Sequence, residues 1–123
     1  EIIGTLQLSF IQYLTYRGGI RAQIEAVRIR KDKRGLGIGK IMFEWAIKRA
    51  KERKAHLLQL TTDKKRPKAI KFYKELRFKQ THEGMKMILT ENKPVANIGY
   101  EKYPINLLNQ GYFLYTRPLL VAI

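Results

Sequence analysis

The sequence predicts an α/β fold: a mixed sheet that opens with a β-hairpin, continues strand–helix–strand–helix–strand, and ends in a strand-forming tail. Three observations carry this. Residues 20–30, "IRAQIEAVRIR", alternate apolar and polar with the period of a strand. A glycine-rich stretch, "KDKRGLGIGK", is followed by apolar residues at spacings of three and four, the mark of an amphipathic helix. A short apolar run, "HLLQLTT", then precedes a second helical pattern.

Taken in order, residues 2–13 ("IIGTLQLSFIQY") alternate in part and are rich in Ile, Leu, Phe and Tyr, which suits a strand. "TYRGG" supplies a turn. On the second strand, Ile20, Ala22, Ile24 and Ala26 are expected on one face, with Arg21, Gln23, Glu25, Val27 and Ile29 on the other. The first helix is predicted over 37–54, with Ile38, Ile41, Met42, Trp45 and Ala46 as its apolar stripe. Lys48, Arg49, Lys51, Arg53 and Lys54 crowd its last turns, where cations complement the helix dipole. Residues 56–62 are a predicted strand, and strand–helix–strand implies a parallel crossover. Pro67 fits the first turn of a second helix, with Asp63 capping it or the turn before it, and Ala69, Ile70, Tyr73 and Leu76 form its inner face. Residues 78–89 are predicted as one or two short strands broken near Gly84. Beyond residue 90 basic density falls, and strand-like pieces recur near "GYFLYT" and "PLLVAI".

The 123 residues suffice for one modest core. The formal charge is +15, and 19 of the 25 Lys and Arg lie between Arg28 and Lys79, against five acids. Such a balance calls for an anionic partner: a nucleic acid, a membrane surface or a phosphorylated small molecule. There is no cysteine, which removes disulfides and thiolate metal sites and fits a reducing compartment. No apolar run approaches the ~18 residues of a membrane span, and the opening "EIIGTLQLSF" lacks the basic start of a secretory signal.

The glycine stretch has a chemical reading. A helix start presents unpaired N–H groups and the positive end of a dipole, and glycines let an anion's oxygens approach them. Gly35, Gly37 and Gly39, flanked by Arg34 and Lys40, therefore suit a phosphate or pyrophosphate. The stretch fails the Walker spacing, since Lys40 is followed by Ile41, and its G-x-G-x-G order fails the dinucleotide fingerprint.

The segment Arg34-Gly35-Leu36-Gly37-Ile38-Gly39 resembles the [RQ]-x-x-G-x-[GA] signature of the GNAT N-acetyltransferase superfamily. Its neighbours agree. "IEAVRI" is similar to the family strand whose backbone pairs with the pantetheine arm of acetyl-CoA. "AIKFYKELRF" resembles the A-x-x-FY-x-x-x-GF helix, with Arg77 where Gly is usual, and "THEGMK" resembles the ending of many bacterial members. The likeness covers about residues 2–89. The family's first strand and helices have no counterpart ahead of the hairpin, and residues 90–123 have none after it. The implied organisation is an incomplete acetyltransferase-like domain over 1–89 and an extension over 90–123 that packs on it or on a second copy. Apolar residues such as Leu107, Leu108, Phe113 and Leu120 favour that packing.

The resemblance implies an N-acetyltransferase that moves an acetyl group from acetyl-CoA to a primary amine on a small molecule or peptide, in the cytoplasm and without a metal. Backbone groups of Val27, Arg28 and Ile29 would hold the pantetheine, and Arg34, Gly35, Leu36, Gly37, Ile38, Gly39 and Lys40 the pyrophosphate. Tyr73 matches the tyrosine that protonates the departing thiolate, against the bland alternative of a core tyrosine. Glu25 matches a glutamate that acts as base, often through water, against that of a solvent-facing strand carboxylate. Thr61 stands where some relatives carry an acid. His56 and His82 lack metal-ligand partners and read as structural or surface residues. The alternative function is a non-catalytic basic fold remnant or a nucleic-acid-binding module. No nucleic-acid motif is found, however, and Trp45 and the Phe residues fall on predicted core faces, so nucleic acid is not the expected partner. A homodimer through an exposed sheet edge or the tail is the further partner considered.

Overall fold

The computed structural model describes residues 1–89, 110–116 and 120–122. β1 (Ile2–Gln12) and β2 (Ile20–Ile29) form the predicted antiparallel hairpin, with Leu8 opposite Ile24. They are joined by α1 (Thr15–Gly18), a single turn whose Tyr16 and Arg17 take left-handed dihedrals, at φ 55° and 56°. α2 (Ile38–Glu52) follows the glycine loop, β3 (Leu57–Leu60) pairs parallel with β2, and α3 (Pro67–Glu75) opens on its proline. β4 (Gln110–Thr116) lies antiparallel on the free edge of β1, and β5 (Leu120–Ala122) on β4. The sheet order is β3-β2-β1-β4-β5. Leu107 and Leu108, which the sequence offers as cover for that edge, lie outside the described residues.

One sheet face builds the core. Leu6, Leu8, Ala22 and Ile24 pack with Ile38, Met42, Phe43, Ala46 and Ala50 of α2. Gly4 permits close approach of strand and helix, since a Cβ there would come within 2.9 Å of the Met42 sulfur. The buried helix stripe is not quite the predicted one. Ile38, Met42, Ala46 and Ala50 step by four, and Phe43 joins them, while Ile41 is exposed. Simple spacing could not choose between adjacent stripes; the position of α3, which places Phe72 and Tyr73 each 5.5 Å from the Phe43 ring, decides it. The other sheet face carries a hydrogen-bonded row: Gln59 Nε2 donates to Gln23 Oε1 (2.8 Å), and Gln7 Nε2 to Ser9 Oγ (3.2 Å).

Two expectations are corrected. The alternation of β2 does not run through. Thr5 pairs with Arg28 and Gln7 with Glu25, so two steps on β1 face three on β2, and Ala26 sits at φ 50°. This is a β-bulge, in which an extra residue flips every later side chain to the opposite face. Val27 and Ile29 therefore pack against the core with Ile24, Ala26 is exposed, and Glu25 does not share a face with Val27. Residues 78–89 form no strand. Met85, Met87, Ile88 and Leu89 are exposed, and no described strand pairs with them. Alternating apolar residues make a strand only when a neighbour completes the ladder.

Candidate functional site

The bulge also makes the site. Pairing of β2 with β3 ends at Ile24 and Leu60, whereas β2 continues to Ile29 bonded to β1. Past that point the edge of β2 that faced β3 borders a cavity of about 560 Å³. Glu25, Val27, Arg28, Ile29, Arg34 and Tyr73 line it, with Thr61 and Arg66. Ile29 and Gly37 lie eight positions apart in sequence, and the strand's divergence from β3 leaves space beside Ile29 and Tyr73.

Each side chain is set by a local cause. Glu25 is exposed and accepts a hydrogen bond from Gln23 Nε2 at 2.6 Å. Tyr73 is half-buried, its ring held by Phe43, Phe72 (5.6 Å) and Phe78 (6.3 Å). Its carbonyl accepts the Phe78 N–H (3.0 Å), which turns the chain out of α3. Arg34 Nε donates to the Ile29 carbonyl (3.1 Å) and so ties the loop to the end of β2. Arg28, Arg34 and Arg66 face a single carboxylate, Glu25, among the lining residues, so the cavity is electropositive.

At the entrance to α2, Gly35 and Gly37 take φ 79° and 78°, and nothing lies within 4 Å of where their Cβ atoms would be. Such dihedrals are left-handed, which favours glycine. Ile41 is the first residue of the helix whose N–H is taken, by the Gly37 carbonyl at 3.2 Å, and the helix start has no side-chain cap. The donors before it are those that a helix leaves unpaired. Gly39 has another purpose: a Cβ would meet Ile29 at 3.3 Å and Phe72 at 3.4 Å, so its bare backbone lets α3 close on α2. Gly35 to Lys40 are not among the cavity's lining residues; they adjoin it through Arg34. The Ile38 side chain is buried, which leaves only its backbone for a ligand, and the Lys40 ammonium lies 3.9 Å from Glu44.

Just ahead of this loop, Arg30 pairs with Asp32 at 2.6 Å and also with Glu1. The hydrogen bond from Arg30 holds the Asp32 carboxyl below its ordinary value and raises the guanidinium in turn. Asp63 stabilises the turn before α3, accepting the Lys65 N–H at 2.8 Å, while the helix itself starts at Arg66 without a side-chain cap. His82 bonds to its neighbour Thr81 (2.7 Å). His56 is less solitary than its sequence context suggests: it joins Tyr13 and Tyr16 at the hairpin turn. Arg66 and Phe43 are among the lining residues that sequence reasoning missed, with Ile24, Ala26 and Leu60. Neither Arg66 nor Phe43 lies in a motif that carries the chemistry, and only the tertiary contact of α2, α3 and β2 brings them in.

The acetyltransferase (GNAT) family model matches residues 1–78. Among solved structures, a transcriptional regulator from Bacillus halodurans C-125 is 58% identical, with a TM-score of 0.69 over 72% of this chain and 59% of that one. An acetyltransferase from Trypanosoma brucei is 24% identical, with a TM-score of 0.66 over 72% of this chain and 61% of that one. Glucosamine-6-phosphate N-acetyltransferase from Arabidopsis thaliana is 18% identical, with a TM-score of 0.66 over 73% and 59%. The last two show the shared fold alone. The chain thus spans about three fifths of the length of these relatives. No curated protein matches it. No helix among the described residues is long and apolar enough to cross a membrane.

Proposed function

The chain belongs to the acetyltransferase (GNAT) family, and from that premise we propose that it transfers an acetyl group from acetyl-CoA to a primary amine. The observation that carries the reading is the cavity where β2 leaves β3, which holds Glu25 and Tyr73 together beside the strand edge of Val27–Ile29 and the loop from Arg34.

The residues present fit the cosubstrate. Gly35 and Gly37 leave open space over a helix start, as a pyrophosphate requires, and Arg28, Arg34 and Arg66 supply charge. The free edge of Val27–Ile29 offers N–H and C=O groups to an extended amide chain such as pantetheine. Acetyl-CoA supplies the activated thioester. In this reading Glu25 takes a proton from the acceptor ammonium, directly or through water, so that the amine can form the new C–N bond. As the C–S bond breaks, the Tyr73 hydroxyl gives its proton to the thiolate. Gly35 to Lys40 hold the phosphates through backbone donors and orient the thioester at the mouth of the cavity.

Calorimetry with coenzyme A at moderate salt tests this. Micromolar binding is expected, and no binding at millimolar ligand overturns the cosubstrate assignment. Gly37→Glu places bulk and negative charge in the cradle and is expected to abolish binding. Gly37→Ala carries the same backbone strain without the charge and serves as its control.

A second reading, nucleic-acid binding without catalysis, is favoured by one observation: the relative at 58% identity bears the name of a transcriptional regulator. Titrating short oligonucleotides at several salt concentrations tests it, with a steep salt dependence as the expected result.

A further inference from the structure

At the end of β2 away from the cavity, the hairpin turn and the C-terminal end of α2 meet. Three rings gather there. Tyr16 lies 4.5 Å from His56, Tyr13 lies 5.3 Å from His56, and Tyr13 and Tyr16 are 6.4 Å apart. His56 is held at both nitrogens. Its Nδ1 is 2.9 Å from the Ile20 carbonyl, and since a carbonyl only accepts, Nδ1 carries the proton. Nε2 is hydrogen-bonded to the Tyr13 hydroxyl. Tyr16 nevertheless remains 74% exposed, and it and Arg17 hold a left-handed backbone that side chains disfavour. An exposed tyrosine packed against a hydrogen-bonded imidazole presents an aromatic face to solvent.

Cations surround it. The Arg21 guanidinium is 5.1 Å from the Tyr13 ring centre, and that of Arg53 is 4.3 Å from the Phe10 ring centre. Arg17 and Lys54 are exposed beside them. The one acid in residues 10–21 and 49–56, Glu52, is 3.6 Å from Arg49. The sequence did not show this pattern, because its tyrosines and its basic helix end lie 30 and more residues apart.

Aromatic faces among Arg and Lys match a particular partner. Bases of a single strand offer free π-faces to stack on such rings, while phosphates take the cations; a duplex hides those faces. A lipid surface calls for several apolar side chains to enter the acyl region, and Leu14 is the one fully exposed aliphatic residue of this turn. We propose that the hairpin turn and the C-terminal end of α2 form a docking surface for single-stranded nucleic acid, with Tyr16 as its stacking face and Arg17, Arg53 and Lys54 on the phosphates. The inference rests on the nucleic-acid reading above and is independent of acetyl transfer, since the cavity lies at the opposite end of β2.

The test is fluorescence anisotropy of the full chain with a labelled oligo-dT strand and a matched duplex, over a range of salt. Tyr16→Asn removes the ring yet suits the left-handed backbone. It is expected to weaken the single strand about tenfold and the duplex little. Arg17→Ala/Arg53→Ala is expected to flatten the salt dependence by about 1.4 in log–log slope, as two lost phosphate contacts require. Lys65→Ala/Lys68→Ala removes equal charge elsewhere and is expected to do less. As a readout that needs no variant, photo-crosslinking of a bromodeoxyuridine strand to the unaltered chain should label the peptides that contain Tyr16 and His56. No binding by the unaltered chain at low salt overturns the nucleic-acid reading itself. Binding that Tyr16→Asn leaves unchanged and the lysine pair weakens equally overturns this surface. Binding to anionic vesicles without binding to the strand overturns the partner in favour of a membrane.

Discussion

Gln23 Nε2 donates to Glu25 Oε1 at 2.6 Å, and Gln59 Nε2 donates to Gln23 Oε1 at 2.8 Å. Three side chains from two parallel strands thus form one line ending at the only carboxylate among the described residues that line the cavity. If Glu25 is the base, Gln23 is the residue that aims it. Glu25→Gln is expected to lower kcat about 10²-fold, in the range that a general base supplies, with coenzyme A affinity unchanged. Gln23→Leu should lower kcat by a smaller factor, again without effect on cosubstrate affinity. Steady-state rates against a panel of amines, paired with calorimetry, separate the two effects. A Glu25→Gln variant with full activity would remove Glu25 from the mechanism.

Tyr73 and Phe43 should divide chemistry from stability. The Tyr73 ring packs on Phe43, and the residue lines the cavity. Tyr73→Phe is expected to lose about 10²-fold in kcat while thermal stability holds. Phe43→Ala, at a fully buried position, should cost about 3–5 kcal/mol in urea unfolding. Equal melting points for Phe43→Ala and the parent would mean that the core is not centred there.

The Arg30–Asp32 pair gives a pH signature. Asp32 is held below its ordinary value by the Arg30 hydrogen bond. Its contribution to stability is therefore present above the carboxylate value of the unfolded chain, and is lost as pH falls through the lower, folded value. Asp32→Asn should flatten the acid side of the stability profile and leave its neutral part parallel to that of the parent. Asp32 is exposed and Arg30 partly so, which keeps the effect small and makes it best read at low salt. Identical acid limbs in thermal melts would count against the pairing.

β4 covers the outer edge of β1, from Ser9 opposite Gln110 to Ile2 opposite Thr116. An uncovered strand of this length seeks partners. Removing residues 110–123 is expected to produce self-association or a lower melting temperature. A deletion variant that keeps the parent's oligomeric state and is equally stable would show that the edge needs no cover.

Much of this was legible along the chain because it is written locally. Strand periodicity marked β1 and β2, Pro67 marked the start of α3, and Arg34 to Gly39 marked a helix entrance, since each depends on residues adjacent in sequence. Tertiary structure alone decided the rest. The bulge at Ala26 reversed the facing of Val27 and Ile29, and no residue type announces it, because it arises from the mismatch of two strands in register. Residues 78–89 have the composition of a strand but no described strand beside them, and a ladder requires two sides. Glu25 and Tyr73 lie far apart in sequence, and the divergence of β2 from β3, together with the packing of α3 on Phe43, brings them to one cavity. Local pattern determined which elements form; the long-range fit of those elements determined which side chains meet, because a side chain's neighbours depend on surfaces that the chain supplies from elsewhere.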